Sequence, residues 1–148
     1  MFDKTKMLAI GCDHAGYKLK EFLKKKLIEK GYSIRDFGCD SEKSVDYPDI
    51  IHPVALSIES KEFERGIIIC GSGNGAQIAA NKYRHVRAAL CWNTEIAMLS
   101  RLHNDANIIS LPARFIKNED ALDAVVVFLN SGFEGGRHKL RVDKISNY

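Results

Sequence analysis

The chain has 148 residues, of which 45% are hydrophobic and 28% are charged, and its formal net charge is +3. This length suits one domain with its own hydrophobic core, and it leaves no room for a catalytic domain joined to a separate substrate domain. A charge this small does not by itself indicate a nucleic-acid or membrane-surface protein.

Short β-like runs alternate with helical periodicity along the chain. In chain order, the pattern predicts strand 7–12, helix 18–30, strand 33–37, helix 49–60, strand 66–70, helix 75–82, strand 87–91, helix 94–102, strand 107–111, helix 118–130 and a basic tail that is helical after Gly136. Thr94 and Asn118 are the predicted N-caps of their helices. Five βα units predict an α/β fold, a three-layer α/β/α single domain over residues 1–148 with a five-stranded parallel, Rossmann-like sheet.

The N-terminal segment has no apolar stretch of signal-peptide length, and no apolar run approaches the ~20 residues that span a bilayer. We therefore expect a cytoplasmic protein. The four cysteines, at positions 12, 39, 70 and 91, form no Cys-x-x-Cys pair and no His pair has zinc-finger spacing, so no metal site is predicted. Because no secretory signal is predicted, we expect no disulfides. Buried cysteines at strand ends act as small hydrophobic residues, and Cys70 is the one for which we consider a chemical role.

Ligands of parallel sheets bind at the carboxyl ends of the strands, so the residues that follow each strand are candidates for a site. Asp13 and His14 follow the first strand, and Arg114 follows the fifth. His103 and Asn104 end the helix after the fourth strand, and we expect them to join the same site. The alternatives are that Asp13 caps the first helix and that His103 is an ordinary surface residue at a helix end.

A glycine loop follows the third strand and precedes a helix, an arrangement whose backbone N–H groups suit a phosphate or an oxyanion. The loop consists of Gly71, Ser72, Gly73, Asn74 and Gly75. It also fits the dinucleotide pattern G-x-G-x-x-A, with Glu95 about 20 residues further on, but that pattern belongs after the first strand. A purely structural tight turn is the alternative interpretation.

Cys70 lies between the buried third strand and this glycine loop. A helix N-terminus favours the thiolate form of a nearby cysteine, which then serves as a base or a nucleophile. Arg137 and Arg141 are spaced i, i+4, so on a helix both guanidinium groups face one way and form a phosphate clamp. A solvated basic tail is the alternative for these arginines.

Several motifs in one order resemble the type B ribose-5-phosphate isomerases of the ribose/galactose isomerase family. They are Gly11–Gly16, Asp46-Tyr47-Pro48, Cys70–Gly75, Ala79–Lys82, Arg87–Cys91, His103–Asn107 and Phe133–His138. The resemblance implies interconversion of ribose 5-phosphate and ribulose 5-phosphate in the pentose phosphate pathway, without a metal or an organic cofactor. It also implies a homodimer, sometimes a tetramer, with active sites shared between chains and no nucleic-acid or membrane partner.

Carried over residue by residue, the resemblance makes Cys70 the catalytic base and His103 the group that helps to open the sugar ring, with Asp13 near the ring oxygens. The substrate contacts that it implies are His14, Tyr47, Gly71, Ser72, Gly73, Asn74, Gly75, Asn104 and Arg114, and the phosphate ligands are His14, Arg137 and Arg141. Some family members carry a glutamate base directly after the glycine loop. This chain has Ala76 there, so the thiolate has no carboxylate competitor.

Two other functions remain open from the sequence. The same motifs occur in isomerases of six-carbon sugar phosphates, such as allose 6-phosphate and galactose 6-phosphate. A non-catalytic nucleotide- or phosphate-binding module would also use a glycine loop. The resemblance also implies that the tail, about residues 134–148, lies at a dimer interface, where a second copy of the chain completes the site.

Overall fold

The computed structural model describes residues 1–147. The strands are β1 (Met7–Cys12), β2 (Ser33–Asp36), β3 (Gly66–Cys70), β4 (Ala88–Leu90) and β5 (Ile108–Pro112). The helices are α1 (Tyr17–Glu29), α2 (Tyr47–Glu59), α3 (Asn74–Ala80), α4 (Thr94–Asn104), α5 (Asn118–Asn130) and α6 (Arg137–Ile145), and a 3₁₀ turn spans His14–Gly16. The strands form one parallel sheet in the order β2-β1-β3-β5-β4, which confirms the predicted fold class.

Two hydrophobic layers cover the sheet, one on each face. Alternate side chains of β3 divide between them: Ile67 and Ile69 pack with the buried leucines of α1 and with α5, whereas Ile68 and Cys70 pack with α2 and α3. All of β3 is buried, as expected for a central strand of a parallel sheet covered on both faces. Cys70 therefore points toward the α2–α3 side.

Local capping differs from prediction at two helices. The N-cap of α4 is Asn93, whose Oδ1 accepts a hydrogen bond from the Ile96 N–H at 2.9 Å, and Thr94 is the first helical residue. The N-cap of α5 is Lys117, and Asn118 begins the helix without capping it. In both helices the predicted cap lies one residue too far along the chain, because extended backbone, and not side-chain type, decides which residue is the cap.

Other boundaries differ by one or two residues. α2 begins at Tyr47, two residues before the predicted start, because Pro48 fits the first turn of a helix. The tail helix is α6, and Tyr148 of the predicted tail lies outside the described residues. All four cysteines are free and buried. Within residues 1–147, no helix combines the length and the apolar character needed to cross a membrane.

Candidate active site

Cys70 is the last residue of β3, and only 4% of its surface is exposed. Its backbone carbonyl accepts a hydrogen bond from the Ala113 N–H (2.9 Å), and the Gly71 carbonyl accepts one from the Arg114 N–H (3.0 Å). These two bonds tie the segment after β3 to the segment after β5. The thiol is thereby held at the carboxyl edge of the sheet, where parallel sheets bind their ligands.

Asp13 lies next to Cys70 along this edge. Cys12 pairs with Ile69 in the ladder between β1 and β3, so Asp13 and Cys70 are the next residues in register. The Asp13 carboxylate accepts a hydrogen bond from the Gly16 N–H at 3.1 Å and caps the 3₁₀ turn. Asp13 is thus a cap, although of the 3₁₀ turn and not of α1. Within residues 1–147 its second carboxylate oxygen has no hydrogen-bond partner.

Tyr47 and Arg114 both lie against the glycine loop. A Cβ atom at Gly75 would be 2.7 Å from Tyr47 Cζ, and one at Gly71 would be 3.1 Å from Arg114 Nη1. Glycine at these positions lets an aromatic ring and a guanidinium group approach the loop backbone closely. The structure therefore brings two of the predicted substrate contacts to the loop.

The conformation of the loop is set at Gly73. This residue has φ of +75°, and a Cβ atom here would lie 2.4 Å from the Leu90 side chain. Its carbonyl accepts a hydrogen bond from the buried Ser110 hydroxyl at 2.7 Å. Ser110 thus supports the loop from β5, a role that no motif in the sequence indicates. Ser72 and Asn74 are exposed, with Ser72 Oγ accepting the Asn74 N–H at 3.3 Å.

His14 follows Asp13 and is half-buried. Its Nδ1 accepts a hydrogen bond from the Val45 N–H at 3.2 Å. The Val45 carbonyl oxygen also lies 3.3 Å from Nδ1, so the Val45 backbone anchors this nitrogen in either tautomer of the ring. His14 is thereby held at the same end of the sheet as Asp13.

The remaining predicted residues lie at the opposite edge of the sheet. Because the strands are parallel, α4 leaves the carboxyl end of β4 and brings His103 and Asn104 to the amino end of β5. α6, which carries Arg137 and Arg141, packs against α4. The five residues of β5 separate the two edges by about 16 Å, at roughly 3.3 Å per residue. Within one chain, His103 and Asn104 therefore lie apart from the residues at the carboxyl edge, and their predicted membership of the same site stays a prediction.

At the end of α4, His103 lies beside His138 and Glu134. Its ring stacks on that of His138, with centroids 4.2 Å apart and planes 4° from parallel. Glu134 Oε2 lies 3.4 Å from His138 Nε2 and 3.9 Å from His103 Nε2. Burial lowers the pKa of His138, and the neighbouring His103 and Arg137 lower it further. Sequence reasoning assigned no role to Glu134 or His138, although their i, i+4 spacing was a signal that could have linked them.

Arg137 and Arg141 are exposed and lie one turn apart on α6. In the part of the chain that the structure describes, neither guanidinium group pairs with a carboxylate. Two guanidinium groups without acidic partners on one helix face present a binding surface for a doubly charged anion. Their predicted role as phosphate ligands is compatible with this placement.

Comparison with known proteins identifies the group to which this chain is related. The profile of the family described as Ribose/Galactose Isomerase matches residues 8–145. The chain belongs to this family. Ribose-5-phosphate isomerase B of Escherichia coli is 41% identical over 141 residues, which cover 95% of each chain.

Solved structures of family members share this fold closely. Ribose-5-phosphate isomerase B of Clostridium thermocellum is 48% identical with a TM-score of 0.94, over 95% of both chains. The enzyme of Mycoplasma genitalium, solved with bound ribulose-5-phosphate, is 38% identical with a TM-score of 0.92, over 96% of this chain and 95% of that one. The resemblance inferred from the motifs is therefore confirmed.

Proposed function

We propose that this protein interconverts ribose 5-phosphate and ribulose 5-phosphate as an aldose–ketose isomerase. The observation that carries the proposal is the arrangement of Cys70, Asp13 and the glycine loop at one edge of the sheet, in a chain that belongs to the ribose/galactose isomerase family. The ribulose-5-phosphate bound to the Mycoplasma genitalium relative supports a sugar phosphate as the ligand.

The complete site requires two copies of the chain. One copy supplies Cys70, Asp13, Tyr47, the glycine loop and Arg114 from the carboxyl edge of its sheet. The second copy supplies His103, Asn104, Arg137 and Arg141 from the amino edge, because a single chain holds the two groups about one sheet height apart. In a homodimer, each of two equivalent sites contains the carboxyl-edge residues of one copy and the amino-edge residues of the other, and α6 lies at the interface.

The reaction begins with opening of the furanose ring. The ring oxygen gains a proton while the anomeric hydroxyl loses one, which requires an acid and a base on the same sugar. His103 of one copy and Asp13 of the other perform these transfers. The unpaired oxygen of the Asp13 carboxylate is the atom available for this step.

Proton transfer between carbons follows in the open-chain sugar. The Cys70 thiolate takes the C2 proton, the electron pair forms the C1–C2 double bond, and the carbonyl oxygen becomes an enediolate oxygen. The N–H groups of the glycine loop and of the first turn of α3 have no acceptor within the helix and stabilise this charge. Cys70 then returns the proton to C1, while the O2 hydroxyl proton passes to O1 to give the ketose.

The phosphate group lies at the end of the sugar away from the reacting carbons and anchors the substrate there. Arg137, Arg141 and His14 bind it with charge-assisted hydrogen bonds. This remote binding energy positions C1 and C2 against Cys70. None of these steps requires a metal or an organic cofactor. We propose that the enzyme acts in the cytoplasm.

The experiment that tests this function is a coupled assay on purified protein with ribose 5-phosphate, allose 6-phosphate and galactose 6-phosphate compared at equal concentrations. We expect the highest kcat/KM for ribose 5-phosphate. Preference for a hexose phosphate would support the alternative within the family. Binding of NAD without turnover of any sugar phosphate would support the nucleotide-binding alternative, for which the family match gives no support.

A further inference from the structure

Three metal-ligating side chains meet where α4 and α6 pack together. His103, Glu134 and His138 each offer a ligand atom, and these atoms lie within 4.8 Å of one another. No other group of three or more His, Cys, Asp or Glu residues within residues 1–147 has this spacing. In the proposed isomerase reaction His103 helps to open the sugar ring, whereas Glu134 and His138 have no role.

The donor set suits a transition metal. Two imidazole nitrogens and one carboxylate oxygen are a common protein ligand set for Zn²⁺, with bonds of about 2.0–2.2 Å and a fourth position left open. A tetrahedral ion with such bonds places its donors about 3.4 Å apart. The distance from Glu134 Oε2 to His138 Nε2 is already 3.4 Å, and the distance to His103 Nε2 is 3.9 Å.

The three side chains are partly preorganised. His138 is buried, and the Glu134 N–H donates to the Leu102 carbonyl at 3.0 Å, which fixes the segment before α6 to the end of α4. The side chains of His103 and Glu134 are 38% and 50% exposed, so both have room to close around an ion. The His103 and His138 rings are stacked with planes 4° from parallel, so a shared ion requires the partly exposed His103 ring to turn out of the stack.

We propose that His103, Glu134 and His138 form a binding site for a divalent transition-metal ion of the Zn²⁺ class. The ion binds His103 through Nε2, the nitrogen that faces Glu134, and a metal-bound His103 no longer acts as a free acid or base. If His103 opens the sugar ring, as the proposed function requires, metal binding inhibits the enzyme reversibly. This second consequence rests on the proposed function, whereas binding of the metal does not.

The binding test uses the full-length protein without substrate, with Co²⁺ as a spectroscopic substitute for Zn²⁺. We expect intense visible absorption bands of four-coordinate Co²⁺, without a thiolate charge-transfer band, and their loss when Zn²⁺ is added. Glu134→Gln and His138→Gln should each weaken Zn²⁺ binding at least about tenfold, since even residues that only support metal ligands contribute 10–100-fold.

A matched control is available on the surface. His85 Nδ1 lies 3.0 Å from Glu59 Oε1, so this pair resembles the site but lacks a second histidine. His85→Gln should leave Zn²⁺ affinity unchanged. Because His138 is buried and its replacement could disturb folding, the exposed Glu134→Gln variant decides the question. Unchanged affinity in Glu134→Gln, or a thiolate band that disappears in Cys70→Ala, overturns the site.

Inhibition is measured separately in the isomerase assay. We expect Zn²⁺ to inhibit at the concentration at which it binds, EDTA to restore activity, and Glu134→Gln to shift the inhibition curve by the same factor as the affinity. Zn²⁺ that binds at the three residues without inhibiting would support the metal site and contradict the role proposed for His103. The two proposals therefore fail in different experiments.

Discussion

The Tyr47 ring occupies the space that a side chain at Gly75 would need, because a Cβ atom at Gly75 would lie 2.7 Å from Tyr47 Cζ. This contact joins the start of α2 to the start of α3, beside the loop that follows Cys70. Tyr47 and the loop are therefore positioned by each other.

Gly75→Ala should displace the Tyr47 ring from the glycine loop. We expect kcat/KM for ribose 5-phosphate to fall about 10- to 100-fold, since shifts near 1 Å in positioning have effects of this size. Steady-state kinetics measure the effect. Gly132→Ala is the matched control, because a Cβ atom there meets nothing within 4 Å. Equal kcat/KM in both variants would contradict a role for Tyr47 in substrate binding.

Cys70→Ala should remove the base and lower kcat by roughly 10²–10⁴-fold, the usual contribution of a positioned acid or base. Ribose 5-phosphate binding, measured by calorimetry, should persist because the arginines and the loop remain. Cys91→Ala is the control, since Cys91 is also a buried cysteine at a strand end but lies outside the proposed site. Activity near that of the unmodified protein in Cys70→Ala would exclude Cys70 as the base.

Iodoacetamide should distinguish Cys70 from Cys12 and Cys91. Burial raises the pKa of Cys91 to about 11 and raises the pKa of Cys12, so both stay protonated and unreactive at neutral pH. We expect Cys70 to be alkylated before Cys12 and Cys91, in parallel with loss of activity, and ribose 5-phosphate to slow the reaction. Peptide mass spectrometry identifies the modified residue. Alkylation that substrate does not slow would place the thiol outside the sugar site.

Mixing two inactive variants should restore activity if the site is shared. Dimers that combine Cys70→Ala with His103→Ala contain one intact site, so random reassociation should recover about a quarter of full activity. Cys70→Ala mixed with Asp13→Asn should recover none, because both changes lie in the same half of the site. Recovery in neither mixture would contradict a site built from two chains.

Asp36→Asn should destabilise the fold by about 3 kcal/mol at pH 7, because the fully buried Lys20 ammonium would lose its nearest carboxylate, at 2.8 Å. It would keep only the Glu21 carboxylate at 3.5 Å and the Cys39 carbonyl at 2.7 Å. The measurement is urea unfolding. Asp143→Asn, in the exposed Lys139–Asp143 pair, should cost about 0.5 kcal/mol or less.

The cost of Asp36→Asn should depend on pH. Burial opposes ionisation of Asp36, but hydrogen bonds from Lys20, Lys24 and the Gly38 N–H outweigh it and hold the pKa of this carboxyl below its usual value. The stabilisation is therefore complete above about pH 4, the ordinary aspartate range, and is lost as the pH falls through the lowered folded pKa. A difference between the two proteins that does not shrink on acidification would contradict this assignment.

Periodicity and local chemistry were enough to predict the sheet, its five βα units and the residues directly after β1, β3 and β5. The apolar, β-branched run Gly66–Cys70 and the spacing of the glycine loop are local properties of the chain, and parallel strands bring their carboxyl ends to one edge. Asp13, Cys70 and Arg114 were placed at this edge for this reason.

The placement of His103 depended on tertiary structure. A helix after a parallel strand returns the chain to the amino edge, so His103, Arg137 and Arg141 lie about one sheet height from Cys70. The stacking of His103 on His138 and the support of Gly73 by Ser110 join residues that are 35 and 37 positions apart. Contacts over such separations depend on how helices and strands pack in three dimensions, and no local pattern in one sequence encodes them.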